Sequence, residues 1–287
     1  MSGRSEVPMR PAGPTTLAVT SGKGGVGKTS VVVNLAVALA RLRNRVAILD
    51  ADFGLGNVDV ALGLTPASHL GHLLAGELEM SEILVEGPQG IRVVPASSGL
   101  RELTSLTPRQ WERLNRGIAE LSAGLDFLLI DTGAGVSDNV IEMLSGAARV
   151  LVVTSPEPTA VVDAYAVIKI LTAIDAAKEI GLLVNGAAGQ AEADLVFGQL
   201  EVAATRFLHR HLRSFGFISH DAAVRDAVLQ QRAVVEAAPD SPASRCFRIL
   251  ASRVGTLAPL GGPGLRLVPR SRPVATGPAS LEAPQCA

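Results

Sequence analysis

The stretch Gly22-Lys-Gly-Gly-Val-Gly-Lys-Thr29 constrains this chain more than any other. A glycine, four residues and then Gly-Lys-Thr is the frame of a phosphate-binding loop. Glycines let the backbone turn its N–H groups toward phosphate oxygens, and the helix that follows adds partial positive charge at its N-terminus. In this reading Gly24, Gly25, Val26, Gly27 and Ser30 form the cradle. Lys28 reaches the β- and γ-phosphates of a nucleotide, and the Thr29 hydroxyl sits on Mg2+. A plain glycine-rich turn is the alternative, and context weighs against it. Leu17–Ser21 reads as a buried strand and the residues after the loop as a helix, the order such a loop requires. Lysine is also scarce, four in the chain with two in this loop.

With 287 residues, 47% of them hydrophobic, the chain can bury a full core, and its length suits one large α/β domain. A net charge of −1 gives no global basic field for nucleic acid, and none is predicted as a specific partner. Cys246 and Cys286 form neither a Cys-x-x-Cys pair nor a metal spacing, so a reduced cytosolic setting is expected. Neither a secretory leader nor a membrane-spanning run is visible.

Short apolar runs predict parallel strands buried on both faces: Leu17–Ser21, Val46–Asp50, Ile91–Pro95, Phe127–Asp131, Val150–Ser155, Gly181–Asn185 and Phe215–Ser219. Helices are predicted over Ser30–Arg43, Pro108–Leu121 (capped by Thr107), Asp138–Ala147, Thr159–Ile174, Glu192–Leu212 and Ala243–Leu257. Alternation of this kind predicts an α/β fold, a doubly wound, mostly parallel sheet flanked by helices, with ligands at the carboxyl ends of the strands. Residues 1–14 read as a disordered lead, 15–258 as the ATPase-like domain and 259–287 as a Pro/Gly-rich disordered tail.

Asp131 closes the run Phe127-Leu-Leu-Ile-Asp131 and precedes Thr132-Gly-Ala-Gly135. That pattern fits a carboxylate holding Mg2+ through water, with Gly135 offering a backbone N–H to the γ-phosphate. The alternative for Asp131 is a cap on the next turn. Val46-Ala-Ile-Leu-Asp50-Ala-Asp52 puts two more acids at a strand end. Asp52 suits positioning or deprotonating the attacking water, and Asp50 supporting Mg2+ or the loop; a solvated acidic turn is the bland reading. Lys23 either reaches a nucleotide in a second subunit or is simply solvated. His69 and His72 read as a surface pair, His209 and His211 as cations near a helix C-terminus, and Trp111 and Tyr165 as covers for core edges.

Ser21-Gly-Lys-Gly-Gly-Val-Gly-Lys-Thr29, with its second lysine, resembles the deviant Walker A loop of the MinD/ParA ATPase superfamily. Asp50-Ala-Asp-Phe-Gly-Leu-Gly-Asn-Val-Asp59 resembles the first switch of the MinD branch. The similarity extends to the flagellar-number regulators called FlhG, FleN or YlxH. It is carried by Gly87-Pro-Gln-Gly-Ile-Arg-Val-Val-Pro-Ala-Ser-Ser-Gly99, Asp131–Ser137, Pro156–Tyr165 and Pro239–Arg245, and spans roughly Thr16 to Arg253. The resemblance implies ATP hydrolysis with Mg2+ and a monomer that becomes a face-to-face homodimer around two Mg-ATP. It also implies Lys23 acting in trans, Asp52 placing water, Asp131 as the Walker B acid and Asn185 touching adenine. Glu157 falls on the dimer face, and Ser219 stands where the superfamily has proline.

Some members carry a Gln-containing N-terminal motif that stimulates a partner GTPase and a basic amphipathic C-terminal helix that binds membrane. Met1–Pro14 holds no such motif, and Leu265-Arg-Leu-Val-Pro-Arg270 is too short and proline-broken for such a helix. The expectation is therefore a cytoplasmic switch ATPase for flagellar number or placement, at most transiently at the inner face of the membrane, with a flagellar-assembly or regulatory protein as partner. The competing reading is a ParA-type positioning or partitioning ATPase for DNA, chemoreceptor arrays or pili. An iron–sulfur carrier of the same superfamily fits poorly with two cysteines so near the C-terminus.

Overall fold

A computed structural model describes residues 13–96, 106–257, 265 and 267. Eight strands form one sheet: β1 (Thr15–Thr20), β2 (Val46–Ala51), β3 (Val85–Glu86), β4 (Arg92–Val94), β5 (Phe127–Thr132), β6 (Arg149–Thr154), β7 (Glu179–Ala187) and β8 (Arg213–Ser219). Their order is β3-β4-β2-β5-β1-β6-β7-β8. All pairs are parallel except β3 with β4. The seven predicted strands are present, with ends moved by one to a few residues. Antiparallel β3, two residues long, was not predicted, because it is too short to leave a periodic pattern.

The helices are α1 (Lys28–Arg41), α2 (Val58–Ala61), α3 (Leu70–Ala75), α4 (Met80–Ile83), α5 (Pro108–Ser122), α6 (Asp138–Gly146), α7 (Pro158–Ile174), α8 (Gln190–Leu208), α9 (Ala222–Leu229), α10 (Val234–Ala237) and α11 (Pro242–Gly255). Thr107 caps α5 as predicted, in a reciprocal box with Gln110. The long predicted helix ending at Leu212 stops instead at Leu208, where His209 turns left-handed with φ 51°. His211 then pairs with Glu201 at 2.8 Å.

Strand residues alternate between two core layers, as a sheet covered on both faces requires. Leu17, Val19, Ile48 and Leu129 pack with α1, α10 and α11; Ala18, Leu49, Leu128 and Ile130 pack with α3 to α8. Trp111, expected at a core edge, is buried within the second layer, while half-buried Tyr165 packs against it. His69 and His72 are a structural pair rather than a merely solvated one. The Nδ1 of His69 accepts from the Gly71 N–H and that of His72 from the His69 N–H, capping α3. Of the tail, Leu265 and Leu267 are described, and both are buried in the core, so disorder throughout 259–287 does not hold at these two positions. The predicted N-terminal lead, apart from its last two residues, lies outside the described residues, as do Cys286 and positions 97–99 of the Gly87–Gly99 stretch.

Candidate nucleotide site

The loop between β1 and α1 turns at two of its glycines. Gly25 and Gly27 have φ of 81° and 91°, the left-handed region that disfavours side chains. At Gly24 and Gly25 an added Cβ would meet nothing within 4 Å, so an open concavity lies in front of them. Gly27 is the N-cap of α1 and supplies no side-chain cap. The first N–H groups of that helix are therefore left for an external acceptor. Cavities of about 630 Å³ and 970 Å³ flank the loop. Lys28, Thr29, Asp52 and Gly133 line the first; Lys23, Val26, Asn185 and His220 line the second.

Beneath the first cavity lies a buried acidic pair. Asp50 and Asp131 are register neighbours on β2 and β5, 0% and 1% exposed. Burial, then the neighbouring carboxylates, pushes Asp50 well above the usual carboxylate range. Burial likewise raises Asp131 to about 7, against the opposing pull of the Thr29 hydroxyl and the Lys28 ammonium. Lys28 is held below its ordinary value, chiefly by burial, with Asp131 and Asp52 resisting. The Asp131 Oδ1 is buried and has no hydrogen-bond partner among the described residues. A buried carboxylate oxygen without a donor is costly unless a cation completes it.

Of the two roles expected for Asp50, its contacts are those of a loop support. Its Oδ1 accepts from the Asp52 N–H at 3.2 Å and its Oδ2 from the Val58 N–H at 3.1 Å. These bonds fold residues 52–58 back onto the end of β2. Gly56 is required there, since a Cβ would come within 2.1 Å of Ala96 and 2.8 Å of the Asp50 Oδ2. Asp52 is half-buried and accepts from the Leu55 N–H at 3.2 Å. Gly135 donates its N–H to the Ser21 carbonyl at 2.9 Å, so a phosphate contact there requires that bond to break. The Asn185 Nδ2 donates to the Val26 carbonyl at 2.7 Å, which ties the end of β7 to the phosphate loop. The Lys23 Nζ, at the second cavity, lies 2.7 Å from Glu157 Oε2 and 3.2 Å from the Thr159 hydroxyl.

The family model described as an AAA domain matches residues 14–183, more than half of the chain. The cell-division ATPase MinD of Pyrococcus furiosus superposes with a TM-score of 0.72 at 27% identity, over 85% of this chain and 99% of that one. The antiactivator FleN of Pseudomonas aeruginosa is 45% identical over 238 residues, 83% of this chain and 85% of FleN. The chain belongs to the FleN/YlxH group of MinD-type ATPases. The flagellum site-determining protein YlxH of Helicobacter pylori is 33% identical over 227 residues, 78% of this chain and 76% of YlxH.

In this FleN/YlxH-type chain the sequence motifs converge on one end of the sheet. Lys28, Thr29 and Asp131 cluster; Asp52 lines the cavity above them; Asn185 and Lys23 lie on the far side of the loop. Sequence reasoning missed Thr159, Val58 and Gly56. Thr159 has a weak signal, a hydroxyl two residues after Glu157; the Val58 contribution is a backbone N–H, which no side-chain pattern reveals. Among the described residues no group of three or more His, Cys, Asp or Glu could by itself hold a metal. The donor set of Thr29 and Asp131 instead suits Mg2+, which takes most of its ligands from water and phosphate.

Proposed function

We propose that this chain is an ATP-driven switch that controls the number or placement of flagella, a reading supported by its relatives, the flagellum site-determining protein YlxH and the antiactivator FleN. One observation carries the chemistry: Asp131, with a buried, unpartnered oxygen, lies beside Thr29 and Lys28 under an open glycine cradle. Thr29 and Asp131 would hold Mg2+, which when bound neutralises phosphate charge. Lys28 and the first N–H groups of α1 bind the phosphates of ATP, and Asn185 holds the loop against the base side. Asp52 orients water for attack on the γ-phosphate, giving ADP and phosphate.

Lys23 completes the site of a second copy in an ATP-bound homodimer, once released from Glu157 and Thr159. Residues 52–58, pinned by Asp50, and 133–135, pinned by Ser21, are the segments that ATP rearranges. The dimer then presents a surface to a flagellar-assembly or regulatory protein. The switch works in the cytoplasm and touches the membrane at most transiently; no helix among the described residues is long and apolar enough to cross it.

Light scattering on the wild-type chain and Asp52→Ala, each with Mg-ATP and with Mg-ADP, tests this reading. A dimer is expected only with ATP, persisting in Asp52→Ala because hydrolysis no longer dissolves it. A chain that binds ATP and stays monomeric in both would sink the proposal.

A further inference from the structure

A cavity of about 230 Å³ lies at the amino ends of β6, β7 and β8, the end of the sheet opposite the phosphate loop. Those strands run parallel, so Arg149, Glu179 and Arg213, the first residue of each, share one edge. The cations here outnumber the carboxylates that could answer them. Arg149 is taken by Glu179, with Nε 2.6 Å from Oε2. The Lys178 ammonium donates to the Ser145 and Ala147 carbonyls, each at 2.8 Å, and lies 3.7 Å from Asp175. His211 has Glu201. Arg210 and Arg213 also line the cavity, and neither has a carboxylate within 4 Å among the described residues. Arg210 donates from Nη1 to the Ala176 carbonyl at 3.3 Å. Its Nε–H is buried and has no acceptor among the described residues. Burial holds this guanidinium below its ordinary value, with the more distant Asp175 charge opposing. The Arg213 guanidinium lies over the Phe215 ring, 5.5 Å from its centroid, which keeps an exposed side chain at the cavity.

We propose that this cavity binds a phosphate group, held by Arg210 and Arg213 and separate from the glycine loop. A buried N–H without an acceptor is costly, so the Arg210 Nε calls for an oxygen from outside the chain. A guanidinium meets phosphate oxygens through two N–H groups at once, and the resulting bonds are charge-assisted. The volume limits what enters. Sites for drug-sized ligands start at about 300 Å³, so this one admits a compact anion and not a nucleotide. Charge narrows the class further. Two guanidinium groups without carboxylates match a phosphate, which carries close to two negative charges and three acceptor oxygens near neutral pH. A single carboxylate carries one charge and would leave one arginine unanswered. The ligand is therefore free phosphate or the phosphate ester of a small molecule, with Phe215 and Ile180 offering apolar lining to its remainder.

The test titrates the full-length chain with inorganic phosphate, with glycerol 3-phosphate and, at matched ionic strength, with sodium chloride. Binding is followed by NMR at the Arg210 Nε–H and the Gly181 amide, both at this cavity. Phosphate that settles in the glycine loop lies at the other end of the sheet and does not enter the readout. Both signals should shift saturably with the phosphates and not with chloride. Arg213 is exposed, so Arg213→Gln should fold as wild type and bind at least about tenfold more weakly, one charged hydrogen-bonding group being lost. Arg210→Lys keeps the charge and loses the fork; read at the Gly181 amide, it should weaken binding by a similar factor. Tighter binding of glycerol 3-phosphate than of inorganic phosphate assigns the site to an ester, and the reverse order to free phosphate; both support it. Shifts that chloride reproduces, affinity unchanged in Arg213→Gln and Arg210→Lys, or saturation by an oligoglutamate peptide and by neither phosphate would overturn the proposal.

Discussion

The Lys23 ammonium sits 2.7 Å from the Glu157 carboxylate, on the opposite side of the phosphate loop from Lys28. Both side chains are substantially exposed, 41% and 65%, so the pair contributes little to folding. Under the proposed function the pair is a hold on a lysine that completes the site of a second copy. Glu157→Ala should leave the melting temperature within about 2 °C of wild type and should lower the ATP concentration needed for half-maximal dimerisation. Lys23→Ala should bind ATP normally yet hydrolyse it at least about a hundredfold more slowly, a transition-state contact in trans having been lost. Normal turnover in Lys23→Ala, read by phosphate release, would remove the lysine from the mechanism.

The Asp50–Asp131 pair makes metal-free stability depend on pH. Burial raises the folded-state value of Asp131 to about 7 from 3.8, and Asp50 moves in the same direction. Between those limits the unfolded chain has already released protons that the folded chain retains. Stability therefore falls as pH rises from about 4 through 7 and is restored on acidification. Urea melts in EDTA across pH 5 to 8 should show this decline, and Asp131→Asn should flatten it. Millimolar Mg-ATP should offset the loss at pH 8 in wild type and not in Asp131→Asn. A wild-type curve that rises with pH would show that these carboxyls are not held protonated.

The strand, loop and helix around Gly22–Thr29 were legible because every signal there is local: an apolar run, glycines and a periodic helix within 27 residues of one another. Asp131 was legible for the same reason. The long-range contacts around the loop were not. Glu157 lies 134 residues from Lys23 and Asn185 lies 159 from Val26, and nothing in either segment encodes the pairing. Asp50 was read as supporting Mg2+ or the loop, but which N–H groups it grips, those of Asp52 and Val58, belongs to loop geometry. The short helices α2, α3, α4, α9 and α10 have at most eight residues each, too few turns for an apolar period to register. Of the tail only Leu265 and Leu267 are described, and their burial against the core had no signal in its proline- and glycine-rich sequence.

Two glycines of the phosphate loop should respond in opposite ways to alanine. At Gly22 the added Cβ would come within 2.2 Å of the Asp163 carbonyl carbon and oxygen on α7. That neighbour is backbone in a helix and cannot rotate aside, so Gly22→Ala forces α7 off the loop and should cost about 3 kcal/mol or more. At Gly24 the same methyl meets nothing within 4 Å, so Gly24→Ala should fold with unchanged stability. The space it fills is the one left open in front of the loop, where phosphate oxygens would approach the backbone. Its loss should therefore appear as weaker nucleotide binding, by about tenfold or more, in a chain that melts like wild type. Thermal melts with and without Mg-ATP separate the two effects. Gly24→Ala that melts normally and is stabilised by ATP as strongly as wild type would place the phosphates elsewhere.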